Sequence, residues 1–192
     1  MFCRILFVPK DAKAFLAWAI SWANVYIWSS ARLFRVSKYV QTCFGKLSDY
    51  LSGWAGQQLC DVATFCLEGG KPVFFKCLEN FRQVVMRYEE ENMLLIDNST
   101  YKCHFNRLGS FIIVPNIQDR PSDYLSRVLK EFLTKWRDAT DRPYVVARSF
   151  KNAPSTKEDR KVKAALDQGA SKTTYLEYVD RPPPAPFKYR HH

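Results

Sequence analysis

The chain has 192 residues, of which 47% are hydrophobic, with seven glycines, ten prolines and a formal net charge of +10. This length fits one domain with a tail or two very small domains, and the composition excludes a wholly disordered chain. The positive charge favours acidic partners such as nucleic acid or an anionic bilayer. This positive charge is concentrated at the two ends of the chain. Residues 1–60 hold seven basic and two acidic residues, and residues 151–192 hold nine basic and five acidic residues.

Six cysteines are spread along the chain without the close pairs that zinc knuckles and thioredoxin-like motifs require. Such cysteines are typical of reduced intracellular thiols that fill small apolar gaps. The spacing of Cys60, Cys66, Cys77 and Cys103 matches no compact zinc motif, so no metal or other cofactor is predicted. Cys103 and His104 are adjacent, but on a strand their side chains point to opposite faces and cannot act as a nucleophile and its base.

The segment of residues 14–31 contains no charged residue and is flanked by basic residues on both sides. As a helix its 18 residues extend about 27 Å, at the lower limit for crossing a membrane. Tryptophans are distributed through it, and tryptophan prefers the bilayer interface to its centre. We therefore predict a helix that lies in an interface or packs on a partner helix. The residues predicted to make this contact are Phe15, Trp18, Trp22, Val25 and Trp28.

Two alternatives remain open for this segment. It can form a buried core helix of a soluble domain, with its tryptophans inside the protein. It can also be a secretory signal, because Ser29 and Ala31 satisfy the small-residue rule for cleavage after Ala31. Cleavage would leave an odd number of cysteines in an oxidising compartment, which favours an intracellular, membrane-associated protein instead. The glycosylation sequon at Asn98 matters only if the chain enters the secretory pathway.

The remaining pattern predicts an α+β fold with N-terminal helices, a small antiparallel sheet of about four strands packed by one helix, and a flexible C-terminal tail. Apolar residues recur at helical spacing in residues 37–67, 74–91 and 121–140. Short β-favouring runs separated by turn residues predict the strands. These strands are residues 93–96, 101–105, 110–114 and 143–150.

The composition changes after residue 150, where charged, small polar and proline residues replace apolar ones. We therefore divide the chain into a basic apolar helical segment (1–70), an α+β domain (71–150) and a largely disordered basic tail (151–192), with a transient helix near residues 158–166. The tail contains a PxxPxK pattern, which in a polyproline II helix suits an SH3-type domain. The residues of this pattern are Pro183, Pro186 and Lys188.

Two groups of basic residues are candidates for binding an anionic partner, either a membrane surface or nucleic acid. Neither group resembles a defined RNA- or DNA-binding module, so their affinity would depend on the phosphate backbone and on salt. The first group is Arg32, Arg35 and Lys38, and the second is Lys157, Arg160, Lys161 and Lys163.

No nucleophile, base and stabilising group can be assembled from the sequence, and no motif in it identifies a family. We therefore predict a non-enzymatic interaction or accessory protein that associates with an intracellular membrane through residues 14–31 and can oligomerise through the same helix. The alternative is a soluble RNA-binding module in which the apolar helix belongs to the core. The two hypotheses differ in whether the protein's own fold covers the face formed by Trp18 and Trp22.

Overall fold

The structure, a computed structural model, describes residues 8–85 and 89–175 and confirms the α+β class. The helices, in chain order, are α1 (Ala12–Ile20), α2 (Leu33–Phe44), α3 (Leu78–Val85), α4 (Lys130–Asp138), α5 (Arg142–Ser149) and α6 (Lys157–Asp167). The strands are β1 (Tyr26–Trp28), β2 (Gly53–Ala55), β3 (Asp61–Leu67), β4 (Lys71–Phe75), β5 (Leu95–Asp97), β6 (Phe111–Ile113) and β7 (Lys172–Thr174).

The strands form three small sheets and not the single four-stranded antiparallel sheet that the sequence predicts. Strand β1 pairs with β2 in parallel, with Tyr26 opposite Gly53, and β5 pairs with β6 in parallel, with Leu95 opposite Phe111. Strand β3 lies between β4 and β7 and is antiparallel to both. The prediction of one antiparallel sheet is wrong. Buried parallel strands carry continuous apolar runs, and a short apolar run does not reveal whether its strand pairs in parallel or antiparallel.

Strand β1, helix α2 and strand β2 form a βαβ unit, in which a helix connects two parallel strands. Helix α2 buries Val36 and Val40 in an apolar cluster with Leu16 of α1 and with Leu51. The helical spacing predicted for residues 37–67 continues only to Phe44, because Gly45 adopts a positive φ of 56° that ends the helix.

The uncharged segment of residues 14–31 is not one helix. Helix α1 ends at Ile20, a turn follows, and the segment continues as β1. The five predicted contact residues therefore do not share a face: Phe15, Trp18 and Trp22 pack on one apolar cluster, Val25 on a second, and Trp28 contributes to two others. In the described part of the chain, we find no helix with the length and hydrophobicity needed to cross a bilayer.

Helix α4 covers the aromatic side of α1. Phe15, Trp18 and Trp22 pack against the buried cluster that includes Phe132, Leu133 and Trp136 of α4. Two cations of the α4 helix complete this cover, because Lys130 Nζ lies 5.3 Å from the centroid of the Trp18 ring and the Arg137 guanidinium lies 5.8 Å from that of Trp22. The aromatic face thus lies against the protein's own core.

The helix predicted for residues 121–140 is confirmed in its main part. It consists of a π-helical turn, Leu125–Leu129, followed by α4, whose Phe132, Leu133 and Trp136 are buried. The turn is joined to the start of α1, because the Ser126 backbone N–H and hydroxyl donate to Asp11 Oδ2 over 2.9 and 3.1 Å.

Two other predicted elements, both strands, are wrong, and one predicted helix is confirmed only in part. Residues 101–105 are not a strand, because Thr100–Cys103 forms a 3-10 helix, and residues 143–150 lie mostly in α5. The helix predicted for residues 74–91 begins only at Leu78, after β4. In the two predicted strands, backbone groups find partners outside a sheet: the Tyr101 N–H donates to Asp159, and the Val145 N–H donates to the Asp141 carbonyl.

Residues 157–174, predicted as part of a largely disordered tail with a transient helix near residues 158–166, form the helix α6 and the strand β7. Strand β7 pairs with β3, and Val162 of α6 is fully buried beside β4. A capping box begins α6: the Asp159 N–H donates to Thr156 Oγ1, and Asp159 Oδ2 accepts from the Thr156 N–H over 2.7 Å. The predicted SH3-type ligand, Pro183, Pro186 and Lys188, lies outside the described residues.

We expect Asp159→Ala to lower the free energy of unfolding by about 2–4 kcal/mol, because it leaves the buried N–H group of Tyr101 and the half-buried N–H group of Thr156 without their acceptor. Urea denaturation at neutral pH measures this loss. Asp167→Ala, at the exposed end of the same helix, removes one surface ion pair and should cost at most about 1 kcal/mol. Equal losses in the two variants would contradict the anchoring role of Asp159.

Candidate functional site

A cleft of about 530 Å³ opens at the carboxyl ends of β5 and β6. In open sheets with parallel strands, ligands bind in the crevice beyond the carboxyl ends of the strands, so this position is the expected one for a site. One wall follows β5 and the other follows β6. The lining residues are Ile96, Asp97, Asn98, Val114, Pro115, Asn116, Ile117, Gln118 and Arg120.

One lining residue, Asp97, belongs to a buried ion pair. Lys76 Nζ donates to Asp97 Oδ2 over 2.6 Å, and the two side chains are only 7% and 4% exposed. Lys76 Nζ also donates to the carbonyl oxygen of Trp28 over 2.7 Å. The ion pair therefore connects the end of β1, the residue after β4 and the last residue of β5.

The Lys76 ammonium has three N–H donors, and the described residues provide acceptors for two of them, at Trp28 and Asp97. Taking both charges out of water is costly, and burial of this kind is repaid only with good geometry and further hydrogen bonds. Such pairs often mark sites where a protein needs a fixed charge.

The loop between β5 and β6 fixes Lys76 from two sides. The Lys76 backbone N–H donates to the Lys102 carbonyl over 2.7 Å. The Asn106 side-chain amide donates to the Lys76 carbonyl over 2.7 Å, and its oxygen accepts from the Leu78 N–H over 2.7 Å. These local bonds explain why residues 99–106 form turns and a 3-10 helix and not a strand.

The charges around Asp97 keep it ionised. Burial opposes ionisation, but the charges of Lys76 and Lys102, the hydrogen bond from Lys76 and the bond from the Ser99 N–H outweigh it and lower the Asp97 pKa. Lys102 Nζ lies 3.8 Å from Asp97 Oδ1, and the Ser99 N–H donates to the same oxygen over 2.9 Å. Both carboxylate oxygens are thus engaged by the protein.

The described cysteines carry no disulfide and are poor nucleophiles at the buried positions. Burial raises the pKa of Cys60 and of Cys77 to about 12, and it also raises the pKa of Cys103. Cys103 is buried and His104 exposed, on a 3-10 helix and not on a strand. No group of three or more metal-ligating residues occurs in residues 8–85 and 89–175.

The two predicted basic groups have different surroundings. In the first group, Arg32, Arg35 and Lys38 are exposed at and along α2. In the second, Lys161 pairs with Glu68 and Lys163 pairs with Asp167, while Arg160 donates to the Ser155 carbonyl and Lys157 is exposed. The charge of the second group is therefore partly neutralised by the protein.

Asn98, the predicted sequon residue, is exposed and lines the cleft. Its side-chain Nδ2 donates to Asn116 Oδ1 over 2.6 Å, across the mouth between the two strands.

A comparison with protein-family models and with curated proteins finds no match.

The sequence does not predict Lys76, Asp97 or Arg120 as site residues. One signal for Asp97 is present, because the apolar run of residues 93–96 ends in this acidic residue and continues into a polar turn. A buried parallel strand that ends in a carboxylate has this pattern. Lys76 is not recognisable in this way, since its partner lies 21 positions further along the chain.

We expect Lys76→Met and Asp97→Leu each to cost about 3–5 kcal/mol of unfolding free energy, because each leaves one buried charge without its partner. The double variant should cost less than either single variant, since it removes both charges together. Urea denaturation of the four proteins gives the coupling energy. Additive losses would show that the two charges do not stabilise each other.

We expect a second effect of this ion pair in acid. The pKa of Asp97 in the folded protein lies below its pKa in the unfolded chain, which is about 3.9. The stability that ionised Asp97 contributes is therefore fully present above the unfolded pKa, and it is lost as the pH falls through the folded pKa. Asp97→Asn lacks this ionisation, so its unfolding free energy should fall less than that of the wild type between about pH 5 and pH 3. Parallel pH curves for the two proteins would contradict the prediction.

Proposed function

We propose that the protein binds a small phosphate-bearing molecule in the cleft at the carboxyl ends of β5 and β6. The observation that carries this proposal is a cleft at the strand ends that is lined by Arg120 and by Asp97, whose carboxylate is held in a buried ion pair with Lys76. A volume of about 530 Å³ falls within the range of small-molecule sites.

The charge of the cleft supports an anionic ligand. Arg120 is the one cation of the lining, and the carboxylate of Asp97 is already paired with Lys76 and Lys102 behind the lining, so the positive charge of Arg120 is the one left for a ligand. A phosphate monoester carries nearly two negative charges at neutral pH. A guanidinium can bind two phosphate oxygens at once, which makes Arg120 the residue most suited to direct contact.

The amide side chains of the lining supply neutral polar contacts. Asn98, Asn116 and Gln118 offer N–H donors that orient a ligand without adding charge. The described lining contains no serine, threonine, cysteine or histidine, and its one carboxylate is held by lysines. These features support binding without a chemical step, as the sequence predicts for the protein as a whole.

Membrane association through residues 14–31 stays a prediction. The contacts of Trp18 and Trp22 with α4 leave this hypothesis without the exposed aromatic face on which it depends. The phosphate-binding proposal does not require that face.

We expect phenyl phosphate to raise the thermal midpoint of the full-length chain by about 3–6 °C at ten times its dissociation constant. Inorganic phosphate should give a smaller shift, and sodium chloride at equal ionic strength should give none. Arg120→Ala should weaken binding at least about tenfold, because a charged hydrogen bond contributes about 1.5–3 kcal/mol. Differential scanning calorimetry measures the shifts.

Arg127→Ala is the matched control for this experiment. Arg127 is exposed and pairs with Asp123, outside the cleft, so its loss changes the net charge as much as the loss of Arg120 does. Binding by Arg127→Ala should match the wild type. Equal weakening in the two variants, or no shift with either phosphate, would overturn the proposal.

A further inference from the structure

The outer face of α2 carries positive charge and no negative charge. The helix contains Arg35 and Lys38 but no aspartate or glutamate. Val36 and Val40 are buried on its inner side, while the residues on its outer side are exposed. These outer residues are Phe34, Arg35, Lys38, Gln41 and Thr42.

A second cleft, of about 360 Å³, continues this face beyond its last turn. Thr42 of α2 forms one wall, and Lys10 and Lys13, at the start of α1, form the other together with Val8. Arg35, Lys38 and Thr42 follow one another at helical spacings of three and four, so they lie on one line that leads into the cleft. At 1.5 Å per residue this line is about 10 Å long.

The four cations of this surface have no carboxylate partner among residues 8–85 and 89–175. The nearest acidic residue in sequence, Asp11, is bound to Ser126 instead. Unpaired cations that share one surface repel each other, so an extended polyanion gains from binding there. Two exposed lysines of α4 and α6 contrast with them, since Lys135 pairs with Glu131 and Lys163 with Asp167.

An exposed ring accompanies the charges. Phe34 is 63% exposed, and the Arg35 guanidinium lies 5.7 Å from the centroid of its ring. An exposed aromatic beside a cationic track is the arrangement that binds single-stranded nucleic acid, through phosphates and base stacking. A membrane-bound helix needs an apolar face turned outward, and the apolar face of α2 is buried.

We propose that the outer face of α2 and the adjoining cleft bind single-stranded nucleic acid by its phosphates, with Lys10, Lys13, Arg35 and Lys38 as the cationic contacts and Phe34 as a stacking platform. This surface is separate from the cleft beside Asp97, and neither proposal depends on the other.

Binding of a labelled oligouridine strand to the full-length chain, measured by fluorescence anisotropy across a salt series, tests this inference. Four cations predict that affinity falls about fifty-fold between about 50 and 200 mM salt. Arg35→Ala with Lys38→Ala leaves two cations and should reduce this fall to about seven-fold. Phe34→Ala should weaken binding about five-fold or more without changing the salt dependence.

The matched control is Lys135→Ala with Lys163→Ala, which removes the same net charge at exposed positions elsewhere. This variant should keep the affinity and salt dependence of the wild type, as should Arg120→Ala, which alters only the other cleft. Equal losses in the control and the α2 variant would overturn the proposal, because net charge alone would explain them. Flotation with anionic phosphatidylserine vesicles but no binding of oligouridine would overturn it in favour of a membrane surface.

Discussion

The buried ion pair between Lys76 and Asp97 is the interaction on which the arrangement of the sheets depends. The paired strands β1–β2 and β5–β6 have three residues each, and two-stranded sheets of this size are marginal alone. Lys76 joins them, because its ammonium binds the Trp28 carbonyl at the end of β1 and the Asp97 carboxylate at the end of β5. The same pair holds Asp97 in place where this residue lines the cleft at the strand ends.

The polar residues around this pair form one connected network. Asn106 holds the backbone of Lys76, the Lys102 carbonyl accepts from the Lys76 N–H, and Asp159 holds Tyr101 in the same loop. A buried polar network of this kind specifies one arrangement of a loop. In any other arrangement, a buried polar group would be left without its hydrogen-bond partner. The cleft therefore combines strand ends with a loop that is fixed by hydrogen bonds.

The sequence predicts the parts of this structure that depend on local spacing, and it does not predict those that depend on distant pairing. The apolar stripe of Phe132, Leu133 and Trp136 identifies α4. The parallel direction of β5 and β6 and the contact between Lys76 and Asp97 leave no local pattern. The aromatic segment shows the same limit, because only the position of α4 decides whether Trp18 faces solvent or the core.

The anchor at Asp159 also has a consequence for synthesis on the ribosome. The loop that carries Lys102 is pinned from α6, and β3 receives its second neighbour only from β7, more than a hundred positions later. During translation at about 5–20 residues per second, β5, β6 and their loop therefore wait several seconds for the segment that fixes them. In that interval the edge of β3 that later pairs with β7 is exposed in the nascent chain. A pause or a truncation before α6 would leave this strand edge open to aggregation.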